Sequence, residues 1–145
     1  LRLGILASSD KVLIAWMKKD ISIWNINSFA EFYMQIFGKY EQDYSNACSK
    51  FTTERRRFLS ELQQIDFLRV IPSQANYFLC EIVKKYTSKE LTRLLLKHYN
   101  ILIKDCSTKS AFNSSNYIRI AIRDTKDNNT LANALKELQK KYRQM

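Results

Sequence analysis

A chain of 145 residues supports one domain or one and a half, and a hydrophobic fraction of 46% is enough for a packed core, which sets disorder aside. A formal charge of +10, with a pI near 9.6, directs attention to an anionic partner, either a nucleic acid or a small phosphorylated ligand. Three scattered cysteines (Cys48, Cys80, Cys106) and one histidine build neither a zinc pattern nor a disulfide framework, so no metal site is expected and a reducing cytoplasm is the expected setting.

No run approaches the roughly 20 apolar residues of a membrane span, and the opening residues lack the charged-then-apolar order of a signal peptide. The chain begins with Leu1 rather than methionine, so it is expected to be a fragment or an excised domain. Gly4, Gly38 and Pro72 are its strong breakers, and no Gly-rich turn is present to cradle a phosphate.

In chain order, LRLGILAS (1–8) is rich in Leu and Ile and reads as a short buried strand. Residues 9–19 follow as a short helix, and 20–27 as an extended segment. A second helix is expected from Ser28, which stands with Glu31 at the S-x-x-E spacing of a capping box. A long helix follows over about 41–64, with Tyr44, Ala47, Phe51, Phe58, Leu62 and Ile65 compatible with one face.

From Asp66 the pattern changes. FLRVIP is a strand stopped by Pro72, and ANYFLCEIV is a second strand. TSKELTRLLLKHY is a helix with Thr87 and Glu90 as its capping box. NILIKDCS and NYIRIAIR are two more strands, separated by a polar loop. A last helix runs from about 125 to 142, with Leu131, Ala134, Leu135, Leu138 and Tyr142 as its apolar face. The second half is therefore β-β-α-β-β-α, an α+β domain with helices on a small sheet. The strand of the first half has no partner there, as if it came from a larger sheet.

Arg119 lies in a strand between apolar neighbours, and the period of two places Tyr117, Arg119, Ala121 and Arg123 on one face. Two readings stand: arginines solvated or paired to nearby acids, or an arginine fork presented to a carboxylate or phosphate. Lys104 sits where a strand gives way to a loop, and an edge lysine there reads as a solvated gatekeeper. Arg2 is an arginine at the start of the first expected strand. His98, near a helix C-terminus, reads as structural, and Cys106 has no histidine or basic cluster to argue for a lowered pKa. Phe29, Phe32, Tyr33, Phe37 and Tyr40 recur at helical spacing and read as core or interface.

LRLGILAS, IWNINSFAEFY, Glu54-Arg55, VIPSQANYFLCEI, ILIKDCS and YIRIAIRDTKDNNTLANAL together resemble, in register, the C-terminal portion of class I/II aminotransferases. These are fold-type I enzymes dependent on pyridoxal 5′-phosphate (PLP). The resemblance is nearest to the histidinol-phosphate aminotransferase and threonine-phosphate decarboxylase branches and covers nearly the whole chain. It implies a small C-terminal domain over 66–145, a long linking helix over 41–65, and, over 1–40, a remnant of the large PLP-binding domain with an interdomain segment.

The resemblance implies that Arg2 binds the cofactor phosphate, that Arg119 grips an acidic group of the substrate, and that Lys104 stands where the phosphate-handling members have a substrate-binding arginine. The Schiff-base lysine is expected upstream of Leu1, so no catalytic residue is assigned within the chain, which is expected to be inactive alone. A small amino-acid substrate, PLP, a homodimeric intact enzyme and no membrane association are implied. A decarboxylase of the threonine-phosphate type is the first alternative. A basic nucleic-acid-binding module or a non-catalytic dimerisation module is the second. The strands show no RNA-recognition signature, so nucleic acid is not the expected partner.

Overall fold

A computed structural model describes residues 4–23, 25–109 and 116–143. The chain forms two compact units that divide between Cys48 and Ser49. In the first, α1 (Lys11–Lys18) starts where the Asp10 carboxylate accepts hydrogen bonds from the Val12 and Leu13 N–H groups, relieving two of the helix's unpaired donors. α2 (Ser28–Ile36) leads into a single 3-10 turn, Phe37–Lys39.

The cap of α2 is Asn27, whose Oδ1 accepts from the Ala30 N–H at 2.9 Å, and not Ser28, so the expected Ser28/Glu31 box does not form. Asn is as good a cap as Ser, and it starts the helix one residue earlier. Of the strand expected over 1–8, the described residues 4–8 are exposed and pair with no strand among the described residues. A strand needs a ladder partner to satisfy its backbone groups. Ala30 is the buried residue of α2, while Phe29 and Phe32 remain exposed. Tyr33, Phe37 and Tyr44 form a run of ring contacts, with centroids 5.7 and 5.5 Å apart.

α3 (Glu41–Leu62) runs through the division between the units. Of its expected apolar face, Phe58 and Leu62 are buried with Ile65 just beyond, Phe51 is half-buried, and Tyr44 and Ala47 are exposed. Burial therefore begins only where α3 belongs to the second unit, whose sheet and helices supply the core.

That unit contains β1 (Leu68–Ile71), β2 (Tyr77–Ile82), α4 (Ser88–Tyr99), β3 (Lys104–Asp105), β4 (Tyr117–Ala121) and α5 (Thr125–Arg143), in the expected β-β-α-β-β-α order. The sheet is antiparallel, ordered β1-β2-β4-β3. Phe78, Cys80, Ile82, Ile118 and Ile120 point inward to Phe58, Leu62, Leu91, Leu95 and Leu135 in one core. Each such side chain contributes roughly 1.5–3 kcal/mol by leaving water. Leu131, Ala134, Leu135 and Leu138 are buried on α5 as expected, and Tyr142 lies outside the described side chains.

The strand expected through NILIKDCS shrinks to two residues. Asn100, left-handed at φ 55°, closes α4, and the Ile101 N–H bonds back to the Leu95 carbonyl, so the chain leaving the helix is used in its cap. The Asp105 carboxylate then accepts the Ser107 N–H and hydroxyl and turns the chain.

At the start of α4 both halves of the capping box are made: Thr87 Oγ1 accepts from the Glu90 N–H, and Glu90 Oε2 accepts from the Thr87 N–H at 2.8 Å. Thr87→Ala is expected to lower stability by about 1 kcal/mol, read as a lower urea midpoint with an unchanged slope.

Candidate functional site

The sheet has two unlike faces. One packs on the helices, and the other carries Tyr77, Leu79 and Glu81 of β2 with Tyr117, Arg119 and Ala121 of β4. On that open face Arg119 stands opposite Leu79 on one side and Lys104 on the other. The structure thus brings together two of the residues singled out from sequence. Like charges directly opposite each other weaken strand pairing, and here the pair ends an edge strand of only two residues.

Neither side chain makes an ion pair or hydrogen bond with any described residue. Arg119 instead has its guanidinium carbon 5.2 Å from the centroid of the Tyr77 ring. Neighbouring arginines are treated differently. Arg69, one row along the same face, donates to its cross-strand partner Glu81 at 2.6 Å. Arg57 makes a two-pronged pair with Glu54, at 2.9 and 2.7 Å. Arg123, expected on the Arg119 face, lies beyond the end of β4 and pairs with Asp127 on α5.

Lys104 and Arg119 border a cavity of about 570 Å³, shared with Thr92, Leu102, Asp105 and Thr108. Asp105 is opposite Ile118 and so has the opposite parity to Lys104. Burial alone would raise its pKa, but the Ser107 N–H and hydroxyl and the Ser88 hydroxyl overcome this and hold it low. Its oxygens are thus engaged by serines, and it makes no ion pair with either cation.

Two neighbouring residues of α3 fasten the ends of the strands that form this face. Arg55 donates to the Gln74 carbonyl at 2.6 Å and to its side-chain oxygen at 2.7 Å, fixing the loop just before β2. Glu54 reaches the other way, accepting from Thr125 Oγ1 at 2.9 Å and from Asn128 Nδ2 at 2.8 Å. Asn128 is buried; it accepts from the Arg123 N–H and donates to the Arg123 carbonyl, each at 2.9 Å, gripping the backbone just after β4. The Glu54 carboxyl is lowered to about 2, first by the hydrogen bond from Arg57, against the effect of burial, then by Asn128 and Thr125.

Arg2 falls outside the described residues. His98 is exposed in the last turn of α4. Cys106 is buried, as is Cys80, whose thiol is pushed up to about 12 by burial, the opposite of an activated nucleophile. Among the described residues no cluster of His, Cys, Asp and Glu is arranged to hold a metal ion, and no helix is long and apolar enough to cross a membrane.

The space around Gly4 is open, with nothing within 4 Å of where a Cβ would stand, so no backbone cradle closes there. Two contributors to the site were missed in sequence, Tyr77 and Asn128. Both act across the fold on residues distant in the chain, and only the strand register reveals the first.

The pattern that defines the family "Aminotransferase class I and II" matches residues 1–137. The chain is similar to the CMP-5′-(3-aminopropyl)phosphonate synthase of Streptomyces rubellomurinus, with 27% identity over 95% of this chain and 22% of that protein. It is 30% identical to the threonine-phosphate decarboxylase of Salmonella typhimurium, over 95% of this chain and 37% of that one. Its fold is similar to the crystal structure of the histidinol-phosphate aminotransferase from Clostridium acetobutylicum, with a TM-score of 0.76 and 31% identity over 90% of this chain and 39% of that one. The chain thus spans well under half the length of each of these proteins. It belongs to the class I and II aminotransferases.

Proposed function

We propose that this chain contributes the substrate-holding small domain of a PLP-dependent aminotransferase whose substrate is a phosphorylated amino acid or amino alcohol. The family is PLP-dependent, and Arg2 is the residue proposed to bind the cofactor phosphate. In this reading residues 1–40 are a remnant of the large domain, 41–65 the linking helix and 66–145 the small domain.

The observation that carries the proposal is the cross-strand pair Lys104–Arg119: two cations side by side on an open sheet face, unpaired among the described residues, in a fold that neutralises Arg57, Arg69 and Arg123. A fold keeps such a pair at a cost in strand pairing, and an anion relieves it. Arg119 supplies a planar fork for a carboxylate or phosphate, and Lys104 a compact charge that adapts to a phosphate oxygen. The intact enzyme is taken to be a cytoplasmic homodimer, with the exposed apolar residues of α1 and α2 supporting burial against further protein.

A decarboxylase of phosphorylated amino acids is the second reading, favoured by the likeness to the threonine-phosphate decarboxylase. The test is an assay of the enzyme from the full reading frame with O-phospho-L-threonine, O-phospho-L-serine and L-histidinol phosphate. Amino transfer to 2-oxoglutarate and carbon dioxide release are followed in parallel. At least one phosphorylated compound is expected to exceed its unphosphorylated counterpart in kcat/KM by about 100-fold, the worth of one or two charge-assisted hydrogen bonds. Carbon dioxide release without amino transfer would select the decarboxylase. Equal turnover of both forms would refute the phosphate reading, and the 145-residue chain alone is expected to show no turnover.

A further inference from the structure

We propose that Tyr77 is a positioning residue for Arg119: its ring holds the guanidinium by the face, so that the nitrogen-bearing edges stay free for an incoming anion. The inference rests on the reading of Arg119 as an anion holder and adds the group that prepares it. Tyr77 opens β2 and is paired with Ala121, two residues along from the Leu79–Arg119 pair. It is therefore the diagonal neighbour of Arg119, a separation that an aromatic side chain can span. Ala121 opposite it has no bulk, which leaves room for the ring to lie across toward Arg119, with 5.2 Å between the guanidinium carbon and the ring centroid.

The manner of holding decides what the arginine can do. A carboxylate partner, such as Glu81 on Arg69, occupies the donors and cancels the charge. An aromatic face does neither, because it attracts the cation through the ring's quadrupole and takes none of the five N–H donors. A long arginine left free in water loses rotamer freedom on binding a ligand, and a ring that restricts it beforehand removes part of that loss.

The ring itself is well placed to serve as a reference. The Ile122 N–H bonds to the Asn76 carbonyl at 3.0 Å immediately before it, and Arg55 fixes Gln74 two residues earlier still. The phenol oxygen has no part in this account, so phenylalanine should serve as well as tyrosine.

The test uses the 145-residue protein, at 17.2 kDa within reach of side-chain NMR, titrated with 3-phosphonopropionate. This probe carries both anion types and no amine. In the wild-type protein the Arg119 side-chain protons should be shifted upfield by the ring and should move on titration. Tyr77→Phe is expected to bind within about twofold of wild type, and Tyr77→Leu about three- to tenfold more weakly. In an Arg119→Ala background, Tyr77→Leu should have no further effect, because its action passes through the arginine.

An equal loss in both backgrounds would overturn the proposal, as would unshifted Arg119 protons in the wild type, a reading that does not depend on the leucine variant folding. If Arg119→Ala binds the probe as tightly as wild type, the anion-holding reading itself falls and takes this one with it. If Arg119→Ala weakens binding while Tyr77→Leu does not, the anion holder stands and the role of Tyr77 is refuted.

Discussion

Arg119→Ala is expected to lower kcat/KM of the intact enzyme toward its anionic substrate by roughly 100- to 1,000-fold, about 3–4 kcal/mol. Two features set this size. Among the described residues no acid engages the guanidinium, which leaves its planar fork available to a ligand. A charge-assisted, two-pronged contact is also about twice as strong as neutral hydrogen bonds.

Arg119→Lys should recover only part of the loss, since lysine keeps the charge without the planar fork. Lys104→Ala should cost less than Arg119→Ala, because Lys104 sits on a two-residue edge strand and offers a single charged head. Lys104→Arg is expected to tighten binding of a phosphorylated ligand. Steady-state kinetics with each variant decide the matter, and an Arg119→Ala enzyme with unchanged kcat/KM would remove this residue from the site.

Glu54→Ala should be the most damaging change away from the open face, costing about 2–4 kcal/mol of stability. The carboxylate is only 14% exposed and accepts from Arg57, Thr125 and Asn128. Its removal leaves a half-buried guanidinium unpaired and strips the buried Asn128 amide of one of its acceptors. The same group predicts how stability depends on pH. Its folded pKa of about 2 lies below the ordinary 4.5, so its contribution is complete above about 4.5 and is lost as pH falls toward 2. Urea denaturation of wild type and Glu54→Gln at pH 7 and pH 3 checks this. The gap between the two proteins should narrow at the lower pH, and a constant gap would rule out the charge as its source.

Much of the second unit was legible in the sequence because its signals are local. Alternation through β4 placed Arg119 on a face opposite Ile118 and Ile120, and the Thr87/Glu90 spacing marked the start of α4. The errors share a different cause. Asn27 displaced Ser28 as a cap because adjacent residues compete for one position. The third strand shortened because Asn100 and Asp105 draw the backbone into a helix exit and a turn.

Residues 1–8 looked like a strand from their composition, but a strand also needs a neighbour, which no single segment's composition supplies, and the described part, 4–8, pairs with no described strand. Tyr77 and Lys104 became part of one site with Arg119 only through register. Period-two patterns specify which face a residue occupies, not which residue stands beside it. Glu54-Arg55 was visible as a family mark, yet its work, tying the loop before β2 and the backbone after β4 to one helix, depends on contacts across the fold.

The like charges of Lys104 and Arg119, facing each other across the seam, also bear on how firmly the sheet edge is closed. β3 is attached to β4 over two residues, with the Cys106 N–H to the Tyr117 carbonyl, at 2.9 Å, extending the attachment by one bond. Electrostatic repulsion across so short a seam favours its opening, and an anion seated between the two cations reverses the sign of that interaction. Ligand occupancy and closure of the edge are therefore thermodynamically linked, each favouring the other. The part of the domain that touches the substrate is also the part whose local opening the substrate would suppress.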